Sequence, residues 1–179
     1  MKSFKRTTKF KKQAGVTLME LIAGLTVMAI IVGGAMALYQ NAMSSQQTTQ
    51  LTQDLAAVRA SVKQIWQGQG SFGASGTNLN SVLVTAKRIP TSIRVDSTTT
   101  PPTLTHAGNG NVVVTSAITS FEVTMTNINE DICIPLLTGA QGWLSVSVSG
   151  GTPVTSFPVS PPDAVTACAA GTTIAFRGN

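Results

Sequence analysis

Charge is scarce in this 179-residue chain: only 11% of its residues are Asp, Glu, Lys or Arg, against about 25% in an ordinary soluble domain. That shortage excludes a disordered polyelectrolyte, as does the 42% hydrophobic content. Cysteine is limited to Cys133 and Cys168, which excludes a disulfide-dense miniprotein. Only one apolar run is long enough to span a bilayer, so the chain is not expected to cross a membrane several times. Proline is missing before Pro90, leaving the first half of the chain without its strongest helix breaker.

Acids are missing from residues 1–15, where Lys2, Lys5, Arg6, Lys9, Lys11 and Lys12 cluster. That segment has six bases and no acid, net +6. Residues 16–179 have six bases and seven acids, net −1. The overall +5 therefore belongs to the first fifteen residues, and the body offers no broad electrostatic footprint for nucleic acid.

Residues 21–38 carry no charge and no proline. As a helix they span about 27 Å, and residues 16–19 extend the run across a hydrocarbon core of about 30 Å. The bases on the N-terminal flank hold that end in the cytoplasm and place the body across the membrane. Leu51, Leu55, Val58, Val62 and Ile65 then recur at steps of four and three, the stripe of an amphipathic helix. One helix is expected over 16–67, ending at the breakers Gly68 and Gly70. Its first half is apolar all round; its second half presents one apolar face. Gly33-Gly34 is its soft spot, each glycine costing about 1 kcal/mol in a helix interior.

Residues 68–179 hold all eight prolines and change character. Residues 68–76 read as a loop and 79–87 as a short helix before Ile89-Pro90. Strands are expected at 112–115, 121–128, 143–149, 165–168 and 174–176, with the prolines at 153–162 marking a long connection. The fold class is therefore α+β: a long N-terminal helix, its hydrophobic half protruding and its amphipathic half packed on an antiparallel sheet. Three divisions follow, with 1–15 a basic leader, 16–67 the helix (16–38 its membrane segment) and 68–179 a globular head.

Residues 11–22, Lys-Lys-Gln-Ala-Gly-Val-Thr-Leu-Met-Glu-Leu-Ile, resemble the processing site of type IV pilins. In that family a basic leader ends in Gly and a Thr-Leu-x-Glu run opens an apolar helix. The resemblance implies cleavage between Gly15 and Val16 by a prepilin peptidase and methylation of the new Val16 amine. It also makes Glu20 the acid of the anchor. The fifteen-residue leader and Val16, where many members have Phe, look more like type IVb than type IVa. The Ser/Thr-rich body and residues 83–90 are similar to the pilins of plasmid-type and enterobacterial thin pili.

Physical reasoning about Glu20 points the same way. An ionised side chain at the centre of a bilayer costs about 2.5–3.5 kcal/mol on insertion scales, so one placed there has a partner or a function. A Val16 amine on a neighbouring subunit would supply the partner and set axial register. The plainer reading is an acid near the lipid headgroups, favoured by the helix N-terminus. A secretory signal is the other alternative, since residues 21–32 have the length of an h-region and Ala35-Met36-Ala37 has the A-x-A form, giving a mature chain starting at Leu38.

With the body outside the cytoplasm, Cys133 and Cys168 are expected to form a disulfide, which a type IV pilin would use to staple its C-terminal region to the sheet. Enzymatic chemistry has little support. His106 stands alone in a polar turn and is read as solvated. Glu130-Asp131 either caps a short segment over 131–137 or is solvated, and residues 68–76 lack the Lys-Ser/Thr ending of a P-loop. Trp66 and Trp143 are read as core or subunit contacts. No catalytic residue, cofactor or metal is expected.

The expected function is structural: a pilin subunit held in the inner membrane as a precursor, then polymerised through its N-terminal helix into an extracellular type IVb filament for adhesion, aggregation or conjugative mating. Its partners would be further copies of itself, the prepilin peptidase/methyltransferase and the pilus assembly machinery. A minor pilin, a type II secretion pseudopilin and a secreted or membrane-tethered binding domain are the alternatives.

Overall fold

A computed structural model describes residues 17–179. The leader, the Gly15–Val16 junction and the Val16 amine lie outside the described residues. The chain forms two compact units, Met1–Asn41 and Ala42–Asn179.

Helix α1 runs Leu18–Ile65, continuing unbroken through Gly33 and Gly34. In the second unit its stripe does what the spacing predicts. Leu51, Leu55, Val58 and Val62 are buried, and Ile65 is partly buried against the same core. Burying each such side chain is worth about 1.5–3 kcal/mol.

Six antiparallel strands form one sheet, β1 (Arg94–Asp96), β2 (Thr103–Thr105), β3 (Asn111–Ser116), β4 (Phe121–Met125), β5 (Ser145–Val148) and β6 (Ile174–Gly178). Their spatial order is β1-β2-β3-β4-β6-β5. Register follows the two-residue alternation of side chains. Val114 lies opposite Val123, Val123 opposite Phe176, and Phe176 opposite Val146. Those four make one buried row across the sheet, and Val112, Met125, Ile174 and Val148 make the next. On the other face Glu122 lies opposite Arg177.

Three short helices complete the unit: α2 (Asn80–Thr85), α3 (Glu130–Thr138) and α4 (Pro161–Cys168). Buried Asn80 ties α2 to the sheet, its side chain donating to the Val112 carbonyl (3.1 Å) and accepting the Val114 N–H (3.0 Å). Cys133 on α3 and Cys168 on α4 form the expected disulfide, with Cα atoms 5.9 Å apart.

Two expectations are corrected. Residues 165–168 are the end of α4, not a strand. Ser160 caps this helix by accepting the Asp163 N–H (3.3 Å), and Pro161 and Pro162 occupy its first positions, where a missing N–H costs nothing. His106 is not solvated. It is 2% exposed, and Nε2 lies 2.9 Å from the Thr126 carbonyl while Nδ1 accepts the Gly108 N–H at 3.1 Å. Strands β1 and β2, three residues each, were not anticipated; segments that short carry too little alternation to register in sequence.

Candidate functional site

In the first unit the described residues, 17–41, are a helix without a core. Leu21, Ile22, Leu25, Met28, Ile31 and Leu38 are all more than half exposed. The helix has an 18-residue window of mean hydropathy 2.4, none of it buried, and among the described residues it is the one helix long and apolar enough to cross a membrane. Nothing lies within 4 Å of where a Cβ would sit on Gly24, Gly33 or Gly34. Small residues with open space around them let helix backbones approach closely.

The N-terminus of this helix is capped by Thr17. Thr17 accepts the Glu20 N–H through its side chain at 3.3 Å and through its carbonyl at 3.0 Å. Thr17-Leu-Met-Glu20 thus has the Thr-x-x-Glu pattern of a capping box ahead of an apolar run. Glu20 is exposed in the helix's first turn, where the unpaired amides favour a negative charge.

In the second unit, polar ties hold α1 to the C-terminal half of the fold. The Ser44 hydroxyl donates to Asp131 at 2.5 Å. Glu130 and Asp131 both stand in the first turn of α3, where their charge suits the helix end. Arg59 reaches the loop before β5. It donates to the carbonyls of Gln141 (3.3 Å) and Gly142, and its guanidinium lies 5.0 Å from the centre of the Trp143 ring. Gly142 has φ +72°, and a Cβ there would come within 2.7 Å of Arg59 Nη1. Trp143 is buried and packs against Phe121 and Phe176; Trp66 is partly buried and reaches the same cluster through Phe72. Both tryptophans are therefore core residues.

The Arg59 clamp gives a stability test. A charged hydrogen bond is worth about 1.5–3 kcal/mol and a surface cation–π contact about 0.5–1. Discounted for the half-exposed position of Arg59, Arg59→Ala is expected to cost about 2 kcal/mol in urea unfolding of the full chain in detergent. Arg59→Lys recovers only part of that, because an ammonium cannot serve two carbonyls and a ring together.

The chain therefore has a folded, cross-linked second unit and a first unit whose described residues are an exposed apolar helix. Known proteins share the pattern. Residues 45–179 match the family model described as PilS N terminal, and residues 10–36 match the prokaryotic N-terminal methylation motif. The major structural subunit of bundle-forming pilus from Escherichia coli O127:H6 is 26% identical over 176 residues, covering 88% of this chain and 89% of that protein. Toxin coregulated pilin of Vibrio cholerae serotype O1 is 28% identical over 129 residues, covering 70% of this chain and 57% of that one. The crystal structure of type IV b pilin from Salmonella typhi has the same fold, with a TM-score of 0.58 at 20% identity over 75% of this chain and 99% of that one. The chain belongs to the PilS N-terminal family, and its head has the fold of a type IVb pilin.

Proposed function

We propose that this subunit is made as a membrane-anchored precursor, cleaved between Gly15 and Val16, methylated at Val16, and polymerised into a surface filament whose core is the bundled N-terminal helices. Residues 1–15 are the leader, 16–38 anchor the precursor and then line the filament core, and 68–179 form the head at the filament surface. The partners are further copies of the chain, the prepilin peptidase/methyltransferase and the assembly machinery at the inner membrane. Adhesion, aggregation and mating contact are properties the finished filament would display.

One observation carries this reading: among the described residues of the first unit the apolar helix is exposed on every face, while the second unit has a core of its own. Each large side chain of that helix gains about 1.5–3 kcal/mol when removed from water. A bilayer supplies that burial to a monomer. Neighbouring copies supply it in a filament, where repetition of one heterologous contact generates an open helix instead of a closed ring. The matched methylation motif over residues 10–36 supports processing by a prepilin peptidase.

Shearing the cell surface tests the reading. The chain is expected as the dominant protein of the sheared filaments, and deleting it is expected to remove them. Filaments that persist without it would make the chain an accessory pilin or a secretion pseudopilin.

A further inference from the structure

His106 is the single histidine of the chain, and its surroundings accept only one of its protonation states. The Thr126 carbonyl beside Nε2 can only accept a hydrogen bond, so Nε2 carries a proton. The Gly108 N–H beside Nδ1 can only donate, so Nδ1 must be bare. The neutral Nε2–H imidazole satisfies both. An imidazolium would set an N–H against an N–H inside a buried turn.

The turn leaves little room for the ring to move away. The His106 N–H donates to the Gly110 carbonyl (3.0 Å), the Asn109 N–H to the His106 carbonyl (2.9 Å), and the Asn127 side chain to the Gly108 carbonyl (2.9 Å). A Cβ on Gly110 would run into both the Thr126 carbonyl and the imidazole. Beside the ring lies a pocket of about 220 Å³, lined by Gln47 and Leu51 of α1, Asn127 and Asn129 after β4, and Ile132 of α3. None of these is charged. Asp54 of α1, itself buried, is the charge that favours an imidazolium; Glu130 and Asp131 at the start of α3 are exposed. Burial outweighs Asp54 and the Thr126 hydrogen bond, and holds the imidazole below its usual pKa.

We propose that His106 is an acid-released latch, whose protonation frees the turn between β2 and β3 from Thr126. The sign follows from linkage. A basic group with a depressed native pKa gives its full stability above its unfolded value of about 6.5, and loses it as pH falls from there toward the native pKa. Opening of the turn therefore rises by up to about tenfold per pH unit in that window.

His106→Gln supplies the comparison, since a Gln side chain offers one donor and one acceptor and does not titrate. Hydrogen exchange is followed for the Gly108 and Asn109 amides of the full chain in detergent micelles between pH 7.5 and 5, with the wild-type ring titrated by NMR. Relative to the Gln variant, wild-type exchange at these amides is expected to accelerate as pH falls below about 6.5, by at most about tenfold per pH unit. Amides of the β4–β6 pairing keep a constant ratio, and the ring titrates below about 6.5. A pH-independent ratio at the turn, or a ring titrating at or above about 6.5, overturns the latch. Should the variant fail to fold, the β4–β6 amides of the wild type serve as the reference and the same two outcomes decide.

Discussion

Glu20→Ala subunits are expected to be cleaved, inserted and folded, yet to fall several hundredfold in sheared filaments. The reasoning rests on where the charge goes. Glu20 is exposed in the first turn of α1, where water and the helix N-terminus stabilise its charge. In a filament the same carboxylate enters a bundle of apolar helices, and we propose that the Val16 amine of a neighbour neutralises it. Removing one partner from a buried ion pair costs about 3–5 kcal/mol because the other charge is left uncompensated. With each 1.4 kcal/mol worth a factor of ten, that cost suppresses incorporation by a few hundredfold or more. Glu20→Asp shortens the reach without removing the charge and is expected to restore part of the yield. Thr17→Val separates this role from simple capping. It removes the side-chain contact to the Glu20 N–H, which costs about 1 kcal/mol, and it leaves both members of the proposed pair. Wild-type assembly of Glu20→Ala would remove the register role and leave Glu20 as a residue of the capping box.

The second large effect is expected in the head. Cys133 and Cys168 are 35 residues apart in sequence and join α3 to α4. Closing a loop of that length restricts the unfolded chain by about 4 kcal/mol in the chain-entropy model. Cys133→Ser with Cys168→Ser is expected to lose about that much in urea unfolding under non-reducing conditions. Wild type measured with reductant is expected to match the double variant. The loss is large because α3 and α4, of nine and eight residues, fall below the length at which isolated helices persist in water. Tertiary contacts hold them, and the disulfide keeps the two segments near each other in the unfolded chain. Equal stability of wild type and double variant would show that packing of Ile132, Leu136, Leu137 and Ala164 suffices alone.

Legibility of this fold in its sequence varied with the length over which a pattern repeats. The stripe from Leu51 to Ile65 spans four helical turns and identified the packed face of α1 correctly. β3, β4 and β6 alternate over five or six residues and were placed within a few residues of their ends. Helix α4 was misread because Val165 and Cys168 look strand-like, while its true signal, Ser160-Pro161-Pro162-Asp163, looks like a connection until the serine is recognised as a cap. His106 was misread for a different reason. The turn around it is polar in composition, and only the pairing of β3 with β4 brings the Thr126 carbonyl to the ring. The Thr17–Glu20 cap is a short-range Thr-x-x-Glu pattern that coincides with the residues of the processing motif. Arg59 gave no signal at all: its partners are more than eighty residues away, and one sequence carries no record of that contact.

The scarcity of charge divides between the two units in a way that fits a polymer. The helix of the first unit carries Glu20 as its single charge among the described residues. The head stays in water through Ser, Thr and Asn, with exposed polar positions such as Thr49, Thr52 and Gln53 along α1 itself.

Mass spectrometry of the N-terminus on purified sheared filaments decides whether this chain leaves the membrane as a processed filament subunit. Subunits in the filaments are expected to begin at N-methylated Val16, with residues 1–15 gone. Subunits that retain Met1, or a soluble product beginning at Leu38, would contradict it.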